Sequence, residues 1–188
     1  MKRVERCEYG RINAQKRKNL IGVISMIAIG VAIFVLGLFL NKFDKRNIFT
    51  IVAVLFVLPM ARYLSTLIVT LAYKTPDKAF YEKVKETVPE GSILFSDYLF
   101  SSPERVMGMS FFVLTGNECI GLAMSEKEKT EKIREYLGAE LKRRAIPGKV
   151  TVYKEKEKFL AAIKKIETAT RTEEEMQELA EFLRSLAI

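Results

Sequence analysis

The stretch LIGVISMIAIGVAIFVLGLFL, residues 20–40, decides the reading of this chain. It holds twenty-one residues without an ionisable side chain. At ~1.5 Å of helical rise per residue it reaches roughly 30 Å, the thickness of a bilayer's hydrocarbon core. A second apolar run, residues 48–73, follows after the connector NKFDKRN, residues 41–47. Seven residues leave room only for a tight turn, so the two runs are expected to form an antiparallel transmembrane hairpin. A cleaved signal peptide fits less well. The first run exceeds the ~7–15 residues of a signal core, no small-x-small site follows it, and a second hydrophobic run does.

Charge divides the chain at the same place. Residues 1–74 hold twelve Lys/Arg and three Asp/Glu, whereas residues 75–188 hold nineteen and twenty. The overall charge of +8 therefore belongs to the membrane-proximal part, where anionic headgroups attract basic side chains at about 1 kcal/mol each. The remainder is charge-balanced, so bulk charge offers no case for nucleic-acid binding. Lys2, Arg3, Arg6, Arg11, Lys16, Arg17 and Lys18 precede the first run, and Lys74, Lys78, Lys83 and Lys85 follow the second. This excess on the outer flanks predicts a cell-membrane protein with both termini cytoplasmic and an extracytoplasmic turn. The expected organisation is a basic segment 1–19, transmembrane helices 20–40 and 48–73, a turn 41–47, and a cytosolic domain 75–188.

Within the first run Gly22, Gly30 and Gly37 fall on one helical face, where a second helix could approach closely. In the second run Pro59 removes a backbone hydrogen bond and predicts a kink. Arg62 stands eleven residues before Tyr73, ~16 Å from the cytoplasmic end of the run. A charge at that depth costs at least ~2.5 kcal/mol and usually faces protein or water. Thr66, Thr70 and Tyr73 follow at helical spacing. Arg62, Thr66, Thr70 and Tyr73 are thus a candidate intramembrane contact, and the three glycines a candidate packing face.

Residues 75–188 suffice for one small domain. Thr75-Pro76-Asp77 predicts a helix start with a threonine cap, and Phe80, Val84 and Val88 its inward face. Residues 92–100, 108–114 and 119–124 have strand composition, with a hairpin turn at Thr115-Gly116-Asn117-Glu118. Ser125 and Glu128 suggest a capping box opening a helix through Ile133, Leu137 and Leu141, closed by Pro147-Gly148. A fourth strand, residues 149–153, precedes a helix over 155–166. Thr172 with Glu175 caps a last helix. The expected fold is an α-helical transmembrane hairpin plus an α+β domain: helix, three-stranded meander, helix, strand, two helices.

That order resembles the core of the restriction-endonuclease-like fold over residues 80–163, and SSPERVMGMSFFVLTGNECIGLAM, residues 101–124, resembles the hairpin of nuclease-related (NERD-type) domains. The family implies an Asp and a Glu-x-Lys or Asp-x-Lys pair that bind magnesium for phosphodiester cleavage. Met109, Leu122 and Met124 stand at those positions here, so the resemblance implies a degenerate domain without the metal site. Asp97, Glu104 and Glu118 do not rebuild it. The two-helix layout is also similar to small bacterial membrane proteins, which implies no activity.

No histidine is present, so histidine-based triads are excluded, and Cys7 and Cys119 read as reduced, structural thiols. No glycine-rich phosphate loop occurs. Phe95, Tyr98, Phe100, Phe111 and Phe112 are strand-spaced packing residues, one face of which could stay exposed for a partner. No catalytic residue, cofactor or metal is expected. The functional expectation is a membrane-anchored, non-enzymatic binding or scaffold protein whose partners are membrane lipids and another protein or itself. The alternative is a membrane-tethered nuclease-like domain that binds or cleaves nucleic acid.

Overall fold

In the computed structural model, residues 6–40, 48–115, 118–144, 146, 148–166 and 172–187 are described. The expected connector 41–47, Gly116-Asn117 of the hairpin turn and Pro147 lie outside them. The chain divides into two compact units, residues 13–72 and residues 1–12 with 73–188.

The first unit is helical. Helix α1 runs Arg11–Leu40, starting nine residues before the apolar stretch and carrying Lys16, Arg17 and Lys18 in its early turns. Helix α2 (Ile48–Leu55) and helix α3 (Val57–Leu71) replace the single kinked helix expected over 48–73. The break falls at Phe56, one turn before Pro59, because proline offers no N–H to the Leu55 carbonyl and its ring crowds that group. Phe56 N–H turns back to Ala53 O at 3.2 Å, and Met60 N–H resumes the ladder to Phe56 O at 3.3 Å. Helix α1 and the α2–α3 segment (Ile48–Leu71) are both long and apolar enough to cross a membrane. They lie side by side in opposite senses: Gly22 faces Tyr63, and Gly30 faces Ala53 and Phe56.

The globular unit has the expected element order. Helix α4 (Lys78–Thr87) leads into strands β1 (Ile93–Ser101), β2 (Val106–Leu114) and β3 (Glu118–Ala123), then helix α5 (Thr130–Arg143), strand β4 (Lys149–Tyr153), and helices α6 (Lys156–Lys164) and α7 (Glu173–Leu186). The sheet order is β1-β2-β3-β4, with the first three strands antiparallel and β4 parallel to β3. Both faces are covered. Ile133, Leu137 and Leu141 of α5 and Leu179 and Leu183 of α7 join one core with Phe95, Tyr98, Phe100 and Phe112. Val84 of α4 and Phe159 and Ile163 of α6 join the other with Phe111, Val113 and Ile120. The five strand aromatics are at most 1% exposed, so they present no aromatic face to a partner.

Two cap expectations are corrected. Asp77, not Thr75, caps α4, accepting the Ala79 N–H at 3.0 Å, while the Thr75 hydroxyl donates to Asp97 instead. Helix α5 begins at Thr130 rather than Ser125, because the Glu128 carboxylate turns to Arg105 at 3.5 Å and to the Gly108 N–H. The Thr172–Glu175 capping box of α7 forms as expected, both reciprocal bonds being present.

Nor is the globular unit confined to residues 75–188. The Ser96 N–H donates to the Cys7 carbonyl at 2.8 Å, the Tyr9 ring stacks on Tyr81 at 4.4 Å, and the Tyr9 hydroxyl donates to Pro76 O at 3.1 Å. At its other end β1 bridges Ala187 through Phe100. The outer edge of β1, an otherwise open row of backbone donors and acceptors, is thus covered near both ends.

Candidate functional site

The most unusual backbone in the sheet is at Asp97, whose φ of +51° lies in the left-handed region within a strand. Only Gly, Asn and Asp enter it readily. The turn reverses the facing of β1: Phe95, Tyr98 and Phe100 enter the same core although the first two are three residues apart. Strand β2 compensates at the same rung, with Met109 and Phe112 on one face and Phe111 on the other, and its register with β3 shifts between Met109 and Phe111. Ser96, Asp97 and Ser110, all at most 8% exposed, occupy this dislocation. Asp97 Oδ2 accepts the Ile12 N–H in the first turn of α1 at 3.2 Å and the Thr75 hydroxyl at 2.8 Å. One carboxylate therefore fastens both strands of chain that lead to the helical unit. Cys7, also at positive φ, is buried, and that burial pushes its thiol up to about 12, leaving it a poor nucleophile. Cys119 is equally buried.

A cleft of about 320 Å³ lies beside the β1–β2 turn, lined by Ser102, Glu104, Arg105, Lys132, Glu135 and Tyr136. Two of its charges pair with each other and a third with a carboxylate outside the lining, while Glu135 carries no ion pair among the described residues. Lys132 pairs with Glu104, holding that carboxyl below the usual range, and Arg105 faces Glu128, whose carboxyl burial pushes up. The Tyr136 hydroxyl donates to Ser101 O at 3.2 Å. The three positions that the resemblance to nuclease-related domains would assign to a metal are elsewhere and apolar: Met109 is fully buried, Leu122 is 2% exposed, and Met124 is half-buried. Asp97, Glu104 and Glu118 sit in β1, in the β1–β2 turn and at the start of β3, and do not converge. Among the described residues no group of three or more acidic or cysteine side chains could hold a metal ion.

In the helical unit Gly22 and Gly30 face the α2–α3 segment. Gly37 is buried, Gly30 has Phe56 Cβ 3.6 Å from where its own Cβ would stand, and a Cβ on Gly22 would come 2.7–3.0 Å from the Tyr63 ring. Gly22→Ile is expected to cost about 1–3 kcal/mol of stability by overpacking. Thermal unfolding of the detergent-solubilised chain checks this, and Tyr63→Ala in the same molecule should recover most of the loss.

The Arg62, Thr66, Thr70 and Tyr73 group is split by the structure. Thr66 and Thr70 spend their hydroxyls on their own helix, donating to Arg62 O at 3.1 Å and Thr66 O at 2.9 Å. Tyr73 lies beyond α3 and joins the globular unit, its hydroxyl donating to Val106 O at 2.8 Å. Arg62 is exposed, and its guanidinium makes no ion pair or hydrogen bond among the described residues. Sequence reasoning missed Asp97 as a fastening: the one clue in SILFSDYLF is an aspartate within a strand-like run, and its partners Ile12 and Thr75 lie far away in the chain. No protein-family model, curated protein or solved structure matches the chain.

Proposed function

We propose that the chain is an integral membrane protein that holds a small α+β domain at the cytoplasmic surface and acts by binding rather than by catalysis. One observation carries this reading. Every exposed large hydrophobic side chain among the described residues lies between Leu20 and Leu71, in α1, α2 and α3, and none lies in the globular unit. Soluble monomers rarely expose apolar patches beyond a few hundred Å², so this surface requires lipid or protein cover. The flanking basic residues favour cytoplasmic termini, and the filled sheet faces favour a display module over an enzyme.

The test is extraction of native membranes with alkaline carbonate. The full-length chain is expected to stay in the pellet, to float with vesicles, and to be released only by detergent. Recovery from the aqueous wash as a well-behaved monomer overturns the reading. A second reading, a nuclease-like scaffold that binds nucleic acid, draws support from the helix, meander, helix and parallel-strand order. It requires salt-sensitive retention of the full chain on a DNA or RNA column, which the display reading does not.

A further inference from the structure

Resting on the membrane reading above, we infer that Arg62 is the docking point for a carboxylate on a membrane-spanning helix of a different protein. Arg62 lies nine residues before the end of α3 and fourteen after the start of α2, so it is deep from either side. At ~1.5 Å per residue the nearer end is about 13 Å away, further than an arginine side chain extends. Its guanidinium faces outward from the helical pair without a partner among the described residues, and a charge so placed is retained at a cost unless something answers it. The neighbouring hydroxyls leave its charge unanswered: those of Ser65, Thr66 and Thr70 donate to backbone carbonyls of Ala61, Arg62 and Thr66, and a neutral oxygen could accept an N–H without balancing the charge.

Charge complementarity selects the occupant. Residues 20–40 and 48–73 contain no Asp or Glu, so the spans of a second copy bring no carboxylate and only a second Arg62. A lipid phosphate lies at the headgroup level, beyond the reach just given. An acidic side chain within another protein's span has the depth, the sign and the forked geometry that a guanidinium matches. The exposed apolar residues on the same face of α3, Leu58 one turn before Arg62 and Val69 two turns after it, give such a helix a surface to lie on.

The experiment places donor-labelled full-length chain in phosphatidylcholine vesicles with acceptor-labelled leucine-rich spanning peptides, one bearing a central Glu, one Gln, one Leu. Carbonate washing of the vesicles comes first. A chain washed off removes the membrane reading and this inference with it, whereas a retained chain leaves the inference alone at stake. The expected result is association with the Glu peptide roughly tenfold tighter than with the Leu peptide, a factor equivalent to about 1.4 kcal/mol. The preference should vanish in Arg62→Leu and persist in part in Arg62→Lys, with the circular dichroism of all three chains alike. Equal association with all three peptides, as when a lipid phosphate already occupies the guanidinium, overturns the proposal. So does energy transfer between copies of the chain that Arg62→Leu abolishes, which assigns the residue to self-association.

Discussion

Replacing Asp97 by alanine is expected to destabilise the chain by about 3 kcal/mol, lowering its thermal midpoint by about 6–12 °C. Two losses combine. The buried Oδ2 no longer accepts from the Ile12 N–H and the Thr75 hydroxyl, and alanine is strained at a φ of +51° where aspartate is tolerated. A three-member series separates them. Asp97→Gly relieves the backbone but loses both bonds, and Asp97→Asn keeps the backbone tolerance and an acceptor while losing the charge. The expected order of damage is Asn, then Gly, then Ala, read as thermal midpoints in detergent. If Gly and Ala prove equal, the backbone conformation contributes nothing. If Asn matches Ala, the charge matters more than the geometry. Limited proteolysis adds a local readout: losing the fastening should expose the peptide bonds around residues 8–12 and around Thr75 to cleavage before the sheet itself opens, because both segments lose a bond to Asp97.

What the sequence made legible, and what it concealed, follows from the range over which each signal acts. The apolar runs declare themselves because their message is cumulative over some twenty residues and needs no knowledge of neighbours. The order of strands and helices was equally readable, since each amphipathic segment of the globular unit buries the face its own spacing defines: Ile133, Leu137 and Leu141, or Phe159 and Ile163. Caps were half legible. Thr172 and Glu175 satisfy one another because nothing else competes for them, whereas Glu128 has the same local pattern and is drawn to Arg105, twenty-three residues away in the chain. The pattern is local, but the competitor is not.

The N-terminal segment was opaque for a related reason. Residues 6–12 are polar and look like a solvated flank, yet they contribute a carbonyl to the edge of β1, an aromatic ring to Tyr81 and a helix start to Asp97. None of those partners lies within sixty residues. The reversal of strand facing at Asp97 was hidden by the alternation rule itself, which assumes that every strand residue is extended. Leu99 and Phe100, one rung further, therefore face opposite to what counting by twos from Phe95 gives. The chemistry at Arg62 is the converse case: its presence is plain in the sequence, and only the structure shows that the helical pair leaves it unanswered.

Gly108 carries the second large effect. It sits in β2 opposite Leu99, and a Cβ added there would stand 2.8 Å from two ring carbons of Tyr73 and 2.9 Å from Leu99 Cδ2. Neither neighbour can yield cheaply. The Tyr73 ring is held by its hydroxyl bond to Val106 O, and Leu99 is 5% exposed in its own packing. The backbone of Gly108 is held as well, its carbonyl accepting the Met124 N–H at 3.1 Å and its N–H bonding the Glu128 carboxylate. Gly108→Val is therefore expected to cost about 3 kcal/mol, at the upper end of what overpacking usually costs. Gly108→Ala should cost less, and Tyr73→Ala should make it cheaper still by opening the space. In a double-mutant cycle the pair should be non-additive by about 0.5–3 kcal/mol. Additive losses would mean that Gly108 is required for a reason unrelated to Tyr73. Because Tyr73 is the first residue after α3 to join the globular unit, the coupling also measures how firmly the domain grips the chain on the side opposite its Asp97–Ile12 attachment in sequence. A chain weakened at both Gly108 and Asp97 should lose more than the sum of the two, if these contacts act as one fastening, and the sum alone if the domain tolerates each defect separately.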